Sequence, residues 1–245
     1  MIDVVDVDEA GFAMTLPVCY SWFPIKERLY IPYEAPQGRR VNAIGGYFSH
    51  GPLAGRFVYR TWATLPPHAR KAKRKTAAEV AQSYDLTLEE VGPIDAQRFV
   101  DFLWHLAGRP VVHAEHGKRE RPLMVLVDNY SVHKSQTVQD ALGQLEQADV
   151  FVIYLPSYCP QLSEIEPICN DVKHHHLPKR SHEQVADLKN SVDNGLSEKA
   201  EQLRQAQPDT TKLVQRAATY ETRDGSSTHR ANVNSIHKGR YVWQD

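Results

Sequence analysis

In the stretch LVDNYSVHKS, residues 126 to 135, an apolar run delivers Asp128 and Asn129 to its end, with His133 shortly after. A buried strand has no structural need for a carboxylate at that point. Near the N-terminus IDVVDVD alternates so that Asp6 and Asp8 share one face and Val5 and Val7 the other, which reads as a strand carrying carboxylates. A third acid, Glu166, stands at the start of a helical pattern after the loop PSYCPQ. Converging carboxylates are costly unless a cation neutralises them, and hard oxygen donors with no competing thiolate select Mg²⁺ or Mn²⁺. Two such ions roughly 3.5 to 4 Å apart activate a water or hydroxyl and stabilise the leaving oxygen of a phosphodiester. The chemistry expected of Asp8, Asp128 and Glu166 is therefore phosphoryl transfer.

Each acid also has a purely structural reading. Ser163 to Glu166 fits a capping box, in which Ser163 caps a helix and Glu166 reaches back to its amide. Asp128 at a strand end is suited to a turn in which its side chain bonds its own backbone. Asp8 has Asp6 on its own strand face and Glu9 next to it. His133, taken alone, is a helix-start residue. The run HHH at 174 to 176 does not read as a zinc site, because consecutive helical side chains point about 100° apart.

The elements that position these residues follow from periodicity. After the first strand come β-type runs at GFAMTL, RRVNAIGGYFS and FVYRTWATL, the first fifty residues reading as an antiparallel meander. A basic linker precedes DAQRFVDFLWHLAG, where Phe99, Phe102, Leu103 and Leu106 recur at helical spacing between an Asp95 N-cap and a Gly108 stop. PLMVLVD is a nearly continuous apolar strand, expected to be covered on both faces. A helix from Ser135 carries Val138, Leu142 and Leu145, and VFVIYLP is a further buried strand, so this unit implies parallel pairing. A helix from about Ser163 places Ile165, Ile168, Cys169 and Val172 on one stripe, with Asn170 and Lys173 on the face of Glu166. Beyond residue 181 a long polar helix runs to about Gln207, followed by a polar tail. The expected class is α/β with a mixed sheet, its site at the strand ends.

Composition narrows the surroundings. The 245 residues carry a net charge of -1, with 24% charged and 41% hydrophobic residues, so overall charge does not mark a nucleic-acid binder and any such surface must come from clusters. These stand at 68 to 76, 116 to 122 and 173 to 180. No run approaches the roughly 18 apolar residues of a membrane span, and the acidic start MIDVVDVDEA is unlike a secretory leader, so a cytoplasmic location is expected. Cys19, Cys159 and Cys169 form no Cys-x-x-Cys pair and indicate neither a disulfide framework nor a zinc ribbon.

VDEAGF (7–12), WFPIKER (22–28), RRVNAIGGY (39–47), LVDNYSVHKS (126–135) and YLPSYCPQLSEIEPICNDVK (154–173) together resemble the catalytic domain of mariner-like DDE transposases, in their bacterial insertion-sequence branch. The resemblance covers roughly residues 2 to 175. It implies an RNase H-like fold with a mixed five-stranded sheet flanked by helices, a catalytic domain over 1–180 and a helical extension with a polar tail over 181–245. It further implies Asp8, Asp128 and Glu166 as catalytic and metal-binding residues, two Mg²⁺ or Mn²⁺ ions, and cleavage and strand transfer of transposon DNA ends in a bacterial cytoplasm, on the nucleoid when bound to DNA. DNA contacts are expected from Lys173, Asn129 and His133, the last orienting the site or meeting substrate, and from Lys71, Lys73, Arg74 and Lys75.

The chain departs from the pattern in three places. Ser163 and Glu164 replace an Asn-Pro pair and Cys169 a tryptophan, the segment between Asp8 and Asp128 contains an unusually long basic and helical stretch, and only seven residues precede Asp8 where the family carries a helix-turn-helix region. That region is therefore expected to be absent, with recognition supplied by a separate polypeptide or a frameshifted upstream reading frame, or lost from a truncated ancestor, and self-association as a homodimer on DNA is expected. The rival readings are an inactive or repurposed transposase fragment that binds DNA or protein, and a stand-alone RNase H-like nuclease.

Overall fold

Asp3–Ala13 form one eleven-residue strand, β1. Of the run GFAMTL, expected as a separate strand, Gly11 to Ala13 continue β1 because Ala10 and Phe12 keep the alternation of the preceding residues and stay buried. The computed structural model describes residues 1–15, 39–65, 75–108, 119–156 and 162–206. β2 (Arg40–His50) and β3 (Phe57–Ala63) pair antiparallel in succession with β1. β4 (Leu123–Val127) and β5 (Val150–Tyr154) add parallel strands on its other side. The order β3-β2-β1-β4-β5, with β2 alone reversed, is the sheet of an RNase H-like fold.

Two helical layers enclose this sheet. On one face Val5, Val7, Ile44, Phe48 and the alternate residues of β4 pack against α2 (Ala96–Leu106) and α3 (Gln136–Gln147), burying Phe99, Phe102, Leu103, Val138 and Leu145. Asp95 caps α2 by accepting from the Arg98 amide, and Gly108, at φ 80°, takes the left-handed conformation just past its end. The opposite face carries Ala10, Phe12, Val41, Ala43 and Phe57 under α1 (Ala77–Tyr84), α4 (Ile165–Asp171) and α5 (Val185–Ala206). Helix α1 was not expected within the basic stretch; its capping box joins the Thr76 hydroxyl and the Glu79 carboxylate.

The expectation that β4 and β5 are covered on both faces needs correction. α4 and α5 lie over β1, β2 and β3, and among the described residues Met124 and Leu126 stay half-buried while Phe151 and Ile153 remain 39% and 37% exposed. β5 ends the sheet among the described strands, beyond the reach of the described helices α4 and α5.

Helix packing depends on two glycines of β2. A Cβ on Gly45 would meet Ile165 Cδ1 and Phe57 Cε2 at 3.0 Å, and one on Gly46 would meet Leu106 Cδ2 at 2.8 Å. The pair thus admits α4 closely on one face and α2 on the other. Gly45 pairs with Asp8 across the strands, so the closest approach of α4 falls beside that carboxylate.

Candidate active site

The sheet register sets the first two acids side by side. β1 and β4 pair in parallel from Asp3–Leu123 to Val7–Val127, so one further step brings Asp8 alongside Asp128. Neighbouring strands lie about 4.8 Å apart. Asp8 remains on the face of Asp6, Ala10 and Phe12, toward α4, whose first turn carries Glu166.

Electrostatics register this convergence. The Asp8 carboxyl is pushed up to about 6, first by burial and then by the negative charges of Glu9, Asp128 and Glu166, although the Glu9 amide donates to its Oδ1 at 2.7 Å. The Cys169 thiol one turn beyond Glu166 is pushed up to about 12, by burial first and then by Asp8, with Lys173 opposing and Glu166 adding. Cys169 is therefore a buried neutral side chain facing the same charges. The shared negative charge and the all-oxygen donor set suit a hard divalent cation. Among the described residues, however, no three His, Cys, Asp or Glu side chains form a group that could hold an ion.

His133 links two of the neighbouring acids. Its Nε2 lies 2.8 Å from Glu9 Oε1, and its Nδ1 lies 2.9 Å from Asp128 Oδ1 and 3.3 Å from the Asp128 carbonyl. The ring is fully buried, stacked on Phe99 with centroids 4.2 Å apart and flanked edge-on by Tyr130. Burial by itself lowers the imidazole pKa, but the Glu9 hydrogen bond and charge, joined by Asp128, outweigh it and hold the pKa above its ordinary value. The expected DNA contact from His133 therefore needs correction, because its ring has no exposed surface. Glu9 went unrecognised as its partner; its adjacency to Asp8 was visible, but the 124 residues separating it from His133 conceal their meeting.

Asp128 combines two roles at the end of β4. Its Oδ1 accepts from the Tyr130 amide at 2.9 Å, which is the turn its structural reading expected, and the same oxygen faces His133. The carboxylate nevertheless remains 59% exposed. Asn129 donates its side-chain amide to the Leu155 carbonyl, tying the exit of β4 to that of β5.

Glu166 does not complete the capping box. The N-cap of α4 is Glu164, with no side-chain cap bond, and the Glu164 amide faces Asp6 Oδ1 at 3.5 Å. Asp6 is almost wholly buried, and burial raises its pKa while Ser49, the Glu164 amide and His50 pull it back. The expected Ser163 cap is thus replaced by a carboxylate from β1, and Glu166 stays exposed in the first turn, followed by Pro167 where a missing amide is harmless. Lys173 lies in a wide π-helical turn, Val172–His176, with Nζ 5.8 Å from the centre of the Phe12 ring. Lys75 is exposed just ahead of the Thr76 cap, while Lys71, Lys73 and Arg74 lie outside the described residues. Of the three histidines, His176 faces Asp171 and Glu198 at 3.4 and 3.3 Å, and His174 and His175 are exposed.

Residues 76–189, which contain Asp128 and Glu166 but not Asp8, match the family model of the DDE superfamily endonuclease. No curated protein matches the chain. Among solved structures, the chain is similar to a Mos1 transposase paired-end complex with left transposon end at 15% identity and a TM-score of 0.47, over 82% of this chain and 53% of that one. It is also similar to a Mos1 mariner paired-end complex with Mn at 14% and 0.47, over 82% and 52%. The catalytic domain of Mos1 mariner transposase gives 14% and 0.42, over 82% and 78%. The chain spans about half the length of the first two.

Proposed function

We propose that the chain is the catalytic part of a bacterial insertion-sequence transposase, cleaving DNA and joining strands through Asp8, Asp128 and Glu166. The observation that carries this reading is the Asp8 carboxyl raised to about 6 by burial and by neighbouring acids that include Asp128 and Glu166, in a register that sets Asp8 beside Asp128. The three carboxylates would hold two Mg²⁺ or Mn²⁺ ions, which supply activation of an attacking oxygen and stabilisation of the leaving one. Glu9 and His133 hold Asp128 in place from the α2 side, and Lys173 meets the phosphate backbone near the carboxylates. Asn129 and Lys75, with Lys71, Lys73 and Arg74, add DNA contacts.

The substrates in this reading are transposon ends and target DNA, with the chain working as a homodimer in the bacterial cytoplasm. The organisation that goes with it is a catalytic domain over 1–180 with a helical extension and tail beyond.

The test is Mn²⁺-dependent nicking of supercoiled plasmid by the purified chain beside Asp128→Asn and Glu166→Gln, with Mn²⁺ binding followed by calorimetry. Nicking lost in both variants supports the carboxylate site. A chain that neither nicks nor binds Mn²⁺ is a binding module built on the same fold.

A further inference from the structure

An unexplained feature lies beyond the carboxylates along β1. A cavity of about 300 Å³ opens between the end of that strand, Gly11 to Ala13 with Thr15, and the segment from Lys173 to Leu188. Its volume is at the lower end of small-ligand sites, enough for one nucleotide residue and too small for a duplex. Ala13, Leu177 and Pro178 supply accessible apolar wall above the buried Phe12 and Leu188, Lys173 and Arg180 supply positive charge, and among the described residues no acidic side chain lines it.

The polar groups of this cavity are placed by the fold. His182 donates its amide to the Met14 carbonyl at 2.8 Å, and its Nε2 lies 3.0 Å from the Ser191 hydroxyl, so the segment crossing the cavity is pinned to the residue that follows β1 and to α5. Burial first, and then the Arg180 charge, lower the His182 pKa, which keeps that ring neutral and leaves Lys173 and Arg180 as the cations. Lys173 is held over the Phe12 ring, where a cation is stabilised by the π face.

The cavity also stands in register with the carboxylates. Phe12 and Asp8 share a face of β1 four residues apart, about 13 Å at roughly 3.3 Å per residue. Lys173 follows Glu166 by seven residues of helical chain, about 10 Å. Successive phosphates of one duplex strand advance about 3.4 Å along the axis, so a strand engaged at the carboxylates reaches the cavity within a few nucleotides.

We propose that this cavity is a subsite for one nucleotide of the DNA strand held at the carboxylates, its base and sugar against Ala13, Leu177 and Pro178 and its phosphate on Lys173 and Arg180. The subsite rests on the reading of the chain as a DNA-handling protein. Neutral apolar walls accept any base, so the subsite contributes affinity and register rather than sequence choice.

The experiment measures binding of a fluorescein-labelled single-stranded 12-mer to the full chain by anisotropy, beside Mn²⁺-dependent plasmid nicking. Arg180→Glu, at an exposed position, is expected to weaken 12-mer binding at least fivefold. Ala13→Trp, which adds bulk at the cavity wall from another exposed position, is expected to do the same without a change of charge. Arg204→Glu, an equal charge change near the end of α5, is expected to change binding less than twofold. Equal losses in Arg180→Glu and Arg204→Glu, with Ala13→Trp unaffected, reduce the effect to general charge and overturn the subsite. Competition by dAMP at the same molar concentration as by unlabelled 12-mer identifies a free-nucleotide pocket and likewise overturns it. Nicking with no difference among the three variants in binding leaves the cutting activity standing and the subsite refuted. The expected pattern of binding without nicking sustains the subsite and refutes the cutting activity.

Discussion

Between Glu9 and Asp128, the His133 ring acts as a strut, with both nitrogens within 3 Å of a carboxylate oxygen. In that geometry both ring nitrogens donate, and rotation of Asp128 would strip a buried donor of its acceptor. Glu9→Gln keeps a side-chain oxygen but loses the charge. It is expected to lower Mn²⁺-dependent nicking about tenfold or more, as outer partners of metal-binding groups do, while urea unfolding shifts by only about 1 kcal/mol. Equal and proportionate losses of stability and activity would mean that Glu9 serves the core alone. Asp8 makes a second residue-scale prediction. A carboxyl whose folded pKa is raised binds its proton more tightly when folded, so stability rises as pH falls through about 6, and the ionised group costs stability at neutral pH. Asp8→Asn is therefore expected to abolish nicking yet stabilise the metal-free chain by about 1–2 kcal/mol at pH 7.5, with the gain shrinking at pH 5. Thermal melts at the two pH values check it; a destabilised variant at pH 7.5 would contradict the cause assigned to the shift.

At the scale of elements, the two glycines of β2 decide how closely helices seat on the sheet. Gly45→Ala pushes against Ile165 and Phe57 at 3.0 Å, and Gly46→Ala against Leu106 at 2.8 Å. Overpacking of this kind costs about 1–3 kcal/mol, so both variants are expected to unfold at lower urea. Their activities should part company. Gly45→Ala displaces the helix that carries Glu166 and is expected to lose nicking well beyond its loss of stability, whereas Gly46→Ala displaces α2 and is expected to retain more. Assay at a temperature where both variants are fully folded separates the two effects, and equal activities there would contradict the placement of Glu166 in the site.

Across the whole molecule, α5 belongs to the same core as the first strand. Val185, Leu188, Val192 and Leu196 are at most 2% exposed and cluster with Phe12, Ile168 and Val172. Polar ties reinforce the contact. Lys189 reaches Glu90 at 3.1 Å and Asp193 at 2.8 Å, Thr61 donates to Asp193, and Lys199 meets Asp171 at 2.6 Å. A chain ended after residue 180 is therefore expected to lose cooperative unfolding, measured by circular dichroism and urea titration. The same ties predict an acid limb. Asp171 is held below the ordinary carboxylate range first by Lys199, and Glu90 first by the Thr87 amide. Each contributes stability that is present above the ordinary carboxylate pKa and is lost as pH falls through its lowered folded value. Asp171→Asn is expected to flatten the fall of melting temperature below about pH 4.

How much of this was legible depended on how local the signal was. Alternation in IDVVDVD and the apolar run before Asp128 place two carboxylates on strands, and Asp95 with the stripe from Phe99 to Leu106 marks α2, because side-chain period and capping act within a few residues. The Thr76 to Glu79 capping box is equally local, but it follows a basic run that reads as a linker. The local rule failed at Ser163, where Asp6 on a strand far away in the chain takes the place at the helix start. It failed also at β5, whose apolar residues do not reveal that the strand lies at the end of the described sheet. The chain by itself determined which elements form and which acids they carry. Only the tertiary structure decided that Asp8 lies beside Asp128, that Glu9 meets His133 and that Gly45 admits α4, because pairing register and close packing are set by contacts between segments whose separation no local pattern encodes.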